Sequence, residues 1–318
     1  MKKYIRFGIG ILLTIFFLYL SYKRVEGLEF SKMAAYPINY MLVLSSVLFF
    51  LLAQWFRALA WSKGLSMEFN SLVVFKAVCI GNAVNMVMPF RLGEVARVAV
   101  LGKGKSRSYA NAGVCLLAER LIDIIILIIL AVAAVFFINF SPNVLNKIRL
   151  MRNLVIIASI IGLLMSGVII WMKSVGSGIF SWLRNHVWGS KLINILEQIQ
   201  VLKSPLAFFR AGAFLSLSWF SVYICTVLGI LSVGIGMDKV LPSALAVLVM
   251  TNLAMLIPAA PGGIGVFQYA CIYSLGLLGV NGIAAAVLSV LLHIVQYAAL
   301  LPIGLYFFLS EKVVIKSR

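Results

Sequence analysis

Residues 82–101 read NAVNMVMPFRLGEVARVAVL, and a related stretch, TNLAMLIPAAPGGIGVFQ, occupies residues 251–268. At an offset of 169 positions, Met86-Val87-Met88-Pro89 aligns with Met255-Leu256-Ile257-Pro258, and Gly93 aligns with Gly262. Asn82 and Asn85 precede the first proline and Asn252 precedes the second. Both stretches sit inside apolar segments, 71–101 and 241–279. Proline removes a backbone donor and blocks the preceding turn, so each segment is expected to break at its centre. Backbone groups freed inside a bilayer persist only where protein or a wet cavity covers them. Paired interruptions in corresponding halves point to the binding site of a transporter. The reading is therefore two re-entrant hairpins, 71–101 and 241–279, related as an inverted repeat.

The rest of the chain fits this frame. Of 318 residues, 63% are apolar or aromatic and only 11% are charged. A soluble domain holds roughly 45–50% apolar residues with glycine included. That composition excludes a soluble enzyme, a nucleic-acid-binding domain, a disordered chain and a secreted disulfide scaffold. The fold class expected is an all-α polytopic membrane protein, one membrane domain over 1–318. An uncleaved first span follows the basic start MKKYIRFG, since no small-residue cleavage site ends its apolar run. Further spans are expected near 39–61, 111–138, 153–172, 206–234 and 283–309, giving about six full crossings beside the two hairpins. Residues 173–205 alternate apolar and polar positions at helical spacing and read as a cytoplasmic amphipathic segment.

Charge placement orients the chain. There are 27 Lys and Arg against 9 acids, and in a membrane protein the excess collects on the cytoplasmic side. With hairpins entering from opposite faces, only Lys23, Arg24, Lys32, Lys147, Arg149, Arg152 and Lys239 fall outside. The expected placement is a multi-pass protein of the cytoplasmic membrane with both termini cytoplasmic. No basic run is long enough to track nucleic acid. Cys79, Cys115, Cys225 and Cys271 lie in apolar segments without metal-ligand spacing and read as buried small residues.

Ionisable residues at membrane depth are costly unless paired or wet, so each is a functional candidate. Arg91, Glu94 and Arg97 recur every three residues after Pro89 and form one helical stripe. The next span carries Glu119, Arg120 and Asp123. Glu119 and Asp123 share a face at i,i+4, so a cation must lie opposite, and Arg91 or Arg97 is the expected partner. Three arginines balance Glu94, Glu119 and Asp123, and a neutral cluster is buried at less cost than any member alone. Two uses are open: an architectural clasp, or a polar cavity in which arginines trade carboxylates for the phosphate of a headgroup. Helix N-termini after Pro89 and around Gly262 and Gly263 would add donors aimed at the same anion. Arg57 reads as snorkelling to the interface, and His293 as a packed histidine bonded to a neighbouring helix. No catalytic set, metal site or cofactor is expected. Lys103-Gly104-Lys105-Ser106 fails as a phosphate loop because Ala99 stands at the first glycine position.

The run NxxxxxxPxRxGExxR, the following ERxxD and the late PxxPGGIG resemble the flippase-like membrane domain of lysylphosphatidylglycerol synthetases, over roughly residues 5–310. The resemblance implies lipid translocation or lipid handling, with Asn85, Arg91, Glu94, Arg97, Glu119, Arg120 and Asp123 at the family's polar positions. Family members that transfer lysine do so through a soluble C-terminal domain. The sequence ends at Arg318, which implies a stand-alone member without that domain. Gln268 stands where the family often has an acid, which puts a carboxylate role there in question.

The function expected is therefore a lipid flippase, more transporter than enzyme. Its substrate-binding set is Asn82, Asn85, Arg91, Glu94, Arg97, Glu119, Arg120, Asp123, Asn252, Gly262, Gly263 and Gln268. Its partner is a membrane lipid: an anionic or aminoacylated phospholipid, or a polyprenyl-phosphate lipid. A lipid-modifying enzyme or a second copy of the chain is the expected protein partner. The alternatives are a membrane-embedded lipid or glycolipid transferase, with Glu94, Glu119 or Asp123 as base, and an accessory subunit of one.

Overall fold

A computed structural model of the chain describes residues 2–25, 29–65, 69–88, 92–102, 106–137, 205–256 and 261–310. The helices are α1 (Lys2–Arg24), α2 (Phe30–Ala34), α3 (Tyr40–Ala60), α4 (Ser71–Val87), α5 (Leu92–Leu101), α6 (Ser106–Phe137), α7 (Pro205–Ser232), α8 (Met237–Ala254), α9 (Val266–Leu277) and α10 (Gly282–Ser310). A π turn, Trp61–Leu65, extends α3, and a 3-10 turn, Pro261–Gly263, precedes α9. Among the described residues there is no strand. The expected span 153–172 and the amphipathic segment 173–205, apart from Pro205 itself, lie outside the described residues.

Helix starts follow local chemistry. The Asn39 side-chain oxygen accepts the N–H of Met41 at 3.1 Å, that of Asn70 accepts Leu72 N–H at 2.8 Å, and that of Asn281 accepts Ile283 N–H at 2.9 Å. Each satisfies a donor that the first helical turn leaves open.

Among the described residues, four helices are long and apolar enough to cross a membrane: Tyr40–Leu65, Leu206–Ser232, Met237–Ala254 and Gly282–Ser310. Three coincide with expected spans. The fourth, α8, is the first limb of the second broken segment; its 18 residues make about 27 Å of helix against the ~30 Å hydrocarbon layer. Large apolar side chains such as Leu12, Leu48, Phe209 and Tyr306 are exposed, as suits a surface solvated by lipid rather than water.

The described chain forms two compact units. The first comprises 1–56, 75–100 and 217–318. Its core packs Ile230 of α7, Val233 just beyond that helix, Val247 of α8, Phe267 and Leu275 of α9, and Leu288 of α10. Helix α9 lies against α1, α8 and α10, so the two limbs of the second broken segment are in contact. Small residues permit the close approaches that hold helices together in lipid. A Cβ on Gly304 of α10 would run into the Cys79 carbonyl oxygen and the Ala83 side chain of α4.

The second unit comprises 57–74 and 101–216. Here the π turn packs on α6. Gly64 in that turn lies so close to Ala211 of α7 that a Cβ would meet its backbone. A π turn inserts one extra residue and rotates the chain beyond it, a feature common at functional positions.

Candidate functional site

In the first unit, both expected interruptions are real breaks. Helix α4 stops at Val87 and α5 begins at Leu92; α8 stops at Ala254 and α9 begins at Val266. Pro89, Arg91 and Pro258 lie outside the described residues, so the role expected of Arg91 has no structural description. At the first break, the Asn85 side-chain oxygen accepts the N–H of Gly93 at 2.7 Å. Gly93 is the second residue of α5, so Asn85 caps that helix from the end of the preceding one. The crossing requires glycine: a Cβ on Gly93 would collide with the Gly81 carbonyl oxygen and with Asn85 itself. Asn82 donates to the Gln54 side-chain oxygen at 3.2 Å, and Gln54 is buried. Arg97 is buried on α5, its Cβ beside Gly81, and Glu94 is half-buried one turn earlier.

The second break is a glycine loop. Gly262, Gly263 and Gly265 have φ of 68°, 70° and 88°, a region that a side chain rarely tolerates. The Gln268 side-chain oxygen accepts the Gly265 N–H at 2.7 Å. An amide oxygen thus closes each break, from the preceding helix in the first case and from within α9 in the second. Asn252 is engaged differently, donating to Leu248 O on its own helix at 2.8 Å.

The two breaks meet. Tyr297 of α10 donates from its hydroxyl to Met86 O at 3.3 Å, at the end of α4. A Cβ on Gly262 would strike that same hydroxyl and lie 3.5 Å from Met86 O. One turn away, His293 packs edge-to-face on Phe267, with ring centroids 5.0 Å apart, and its Nδ1 lies 3.3 Å from the Gln268 amide nitrogen. That contact matches the packed histidine expected from the sequence. The sequence signals Tyr297, the link between the breaks, only by its i,i+4 spacing from His293.

The second unit holds the cluster of Arg57, Glu119, Arg120 and Asp123. The Arg57 guanidinium lies 2.7 Å from Glu119 Oε1 and 2.7 Å from Asp123 Oδ2. Trp61 Nε1 donates to the other oxygen of Glu119. Arg120 reaches Asp123 Oδ2 at 3.5 Å. Two i,i+4 pairs therefore face each other, Arg57 and Trp61 against Glu119 and Asp123. Glu119 is wholly buried, whereas the Arg120 side chain is 41% exposed.

This corrects the sequence reading on one point. Arg57, expected to snorkel to the interface, is a cation seated between the two carboxylates; the partnership expected of Arg91 falls outside the described residues. The physical reason is burial: a carboxylate with no solvent contact needs a fixed counter-charge at hydrogen-bond distance, and Arg57 stands one helical turn before Trp61 on the same face. The quartet Arg57, Arg120, Glu119 and Asp123 is formally neutral. It provides two planar guanidinium forks, one enclosed and one partly exposed, of the kind that bind carboxylate or phosphate.

The family described as the lysylphosphatidylglycerol synthase TM region matches residues 7–304. No curated protein and no solved structure matches the chain. With nearly its whole length covered by that match, the chain belongs to the lysylphosphatidylglycerol synthase transmembrane-region family.

Proposed function

We propose that this protein translocates a lipid headgroup, that of a phospholipid or a polyprenyl-phosphate-linked lipid, between leaflets of the cytoplasmic membrane while the acyl or prenyl chains stay in the bilayer. The observation that carries the reading is the junction of the two helix breaks at Tyr297 and Gly262. Interrupted helices from two halves that converge are the usual construction of a transport site, and unwound backbone at membrane depth needs polar cover. In this reading the segments 71–101 and 241–279 are re-entrant, related as an inverted repeat, and both chain termini are cytoplasmic. Asn82, Asn85, Arg91, Glu94 and Arg97 serve the first hairpin, and Asn252, Gly262, Gly263 and Gln268 the second. Glu119, Arg120 and Asp123, with Arg57, form a charge-balanced element in which the exposed Arg120 exchanges Asp123 for a phosphate oxygen. Membership of a lipid-handling family supports the substrate class.

Reconstitution tests it. Protein in vesicles with a labelled phospholipid should move label between leaflets without chemical change. A new covalent product would instead establish a transferase. Absence of both, with a lipid-modifying enzyme copurifying, would establish an accessory subunit.

A further inference from the structure

The Gln268 side chain dictates the protonation of His293. Its amide oxygen is committed to the Gly265 N–H at 2.7 Å, which fixes the orientation of the amide. The nitrogen end, which can only donate, faces His293 Nδ1 at 3.3 Å. Nδ1 must therefore accept, and the proton of a neutral imidazole sits on Nε2. A second proton on Nδ1 would oppose the Gln268 donor, so the ring is held neutral. Among the described residues, the ring and amide side chains against it are Phe267 and Gln268 from α9 and Tyr297 from its own helix; none of these is charged.

Nε2 is then a buried donor with no hydrogen-bond partner among the described residues, on a side chain that is 8% exposed. A buried donor left open is costly and calls for a ligand. The N-terminal turn of α9, whose Phe267 and Gln268 lie against the ring, holds further open donors. Helix α9 has glycine at its N-cap, whose own N–H is taken by the Gln268 side chain. Its first backbone bond from the helix runs from Tyr269 N to Gly265 O, which leaves the N–H groups of Val266, Phe267 and Gln268 ahead of the ladder. The helix dipole favours an anion at this end.

We infer that His293 Nε2 and the N-terminal turn of α9 together seat a phosphate oxygen, with His293 acting as a neutral donor and not as a proton carrier. The identity of the ligand as a lipid headgroup rests on the translocation reading; the geometry itself specifies a phosphate-like acceptor.

The chain has two histidines, so His186→Asn leaves His293 as the single imidazole signal. The test is nitrogen NMR of that full-length protein, isotopically labelled at histidine, in phosphate-free maltoside micelles. A neutral ring protonated at Nε2 is expected near neutral pH. Dihexanoylphosphatidylglycerol should shift the Nε2 resonance and dihexanoylglycerol should leave it unchanged. A matching shift with inorganic phosphate identifies a seat for phosphate alone, and a shift with the lipid only identifies a seat that also needs the chains; either supports the site. His293→Phe should weaken binding of the phospholipid about tenfold, the loss of one hydrogen bond to a charged group, while apo thermal stability changes little and His293→Gln retains most of the affinity.

An Nδ1-protonated ring or an imidazolium would overturn the inference, as would silence towards both phosphate probes or an equal response to dihexanoylglycerol. Leaflet transfer separates the two proposals. If wild-type protein moves no lipid yet shows the shift, translocation falls and the phosphate seat stands. If wild-type protein moves lipid and His293→Phe matches it, this inference alone falls.

Discussion

Replacing Arg57 with methionine removes the guanidinium that both Glu119 and Asp123 accept at 2.7 Å. Glu119 has no exposed side-chain surface and Asp123 retains 9%, so water cannot take over. Trp61 continues to donate to Glu119 and Arg120 stays near Asp123, but neither replaces a guanidinium that both carboxylates share at 2.7 Å. Breaking a buried pair from one side costs about 3–5 kcal/mol. At roughly 2 °C per kcal/mol for a chain of this size, the unfolding midpoint in maltoside micelles should drop by roughly 6–10 °C. Adding Glu119→Gln and Asp123→Asn to Arg57→Met removes the uncompensated charge and should restore at least half of the loss. The midpoint should depend little on salt, because enclosed pairs are screened weakly. A drop below about 2 °C, or no recovery on neutralising the carboxylates, would refute the clasp as the carboxylates' main support.

Asn85→Ala should cost about 1 kcal/mol through the lost cap on α5, lowering the thermal midpoint and slowing leaflet transfer, whereas Asn85→Asp keeps an acceptor and should behave nearly as wild type. Gly262→Ala forces a side chain into φ 68° and into the Tyr297 hydroxyl; thermal stability should fall by about 1–2 kcal/mol, and Tyr297→Phe in the same chain should recover part of it. Cys79, Cys225 and Cys271 are buried, so maleimide should label them only on unfolding. Rapid labelling of Cys79 in the folded protein would show that α4 separates from α10, where Cys79 O lies against Gly304.

Local sequence determines a good deal of this protein. Its apolar content places it in a membrane, and the Pro89 and Pro258 neighbourhoods mark where helices stop, because proline and glycine act on the backbone within a turn or two. The glycine at 93 and its counterpart at 262 are also visible, though not what each avoids. The charge balance around Glu119 and Asp123 could be deduced from the cost of burial alone. The part of Arg57 in it could not. Arg57 lies 62 positions from Glu119, and periodicity says only that it is near a helix end, which fits snorkelling equally well. The meeting of the two breaks depends on a bond between residues 211 positions apart. Likewise Gln268 looked like a departure from an acid, and only its simultaneous contacts with Gly265 and His293 reveal a device that sets a tautomer. Backbone breaks are encoded by the residues that make them, whereas the partner of a polar side chain is chosen by how distant helices pack. That choice exists only in the folded chain.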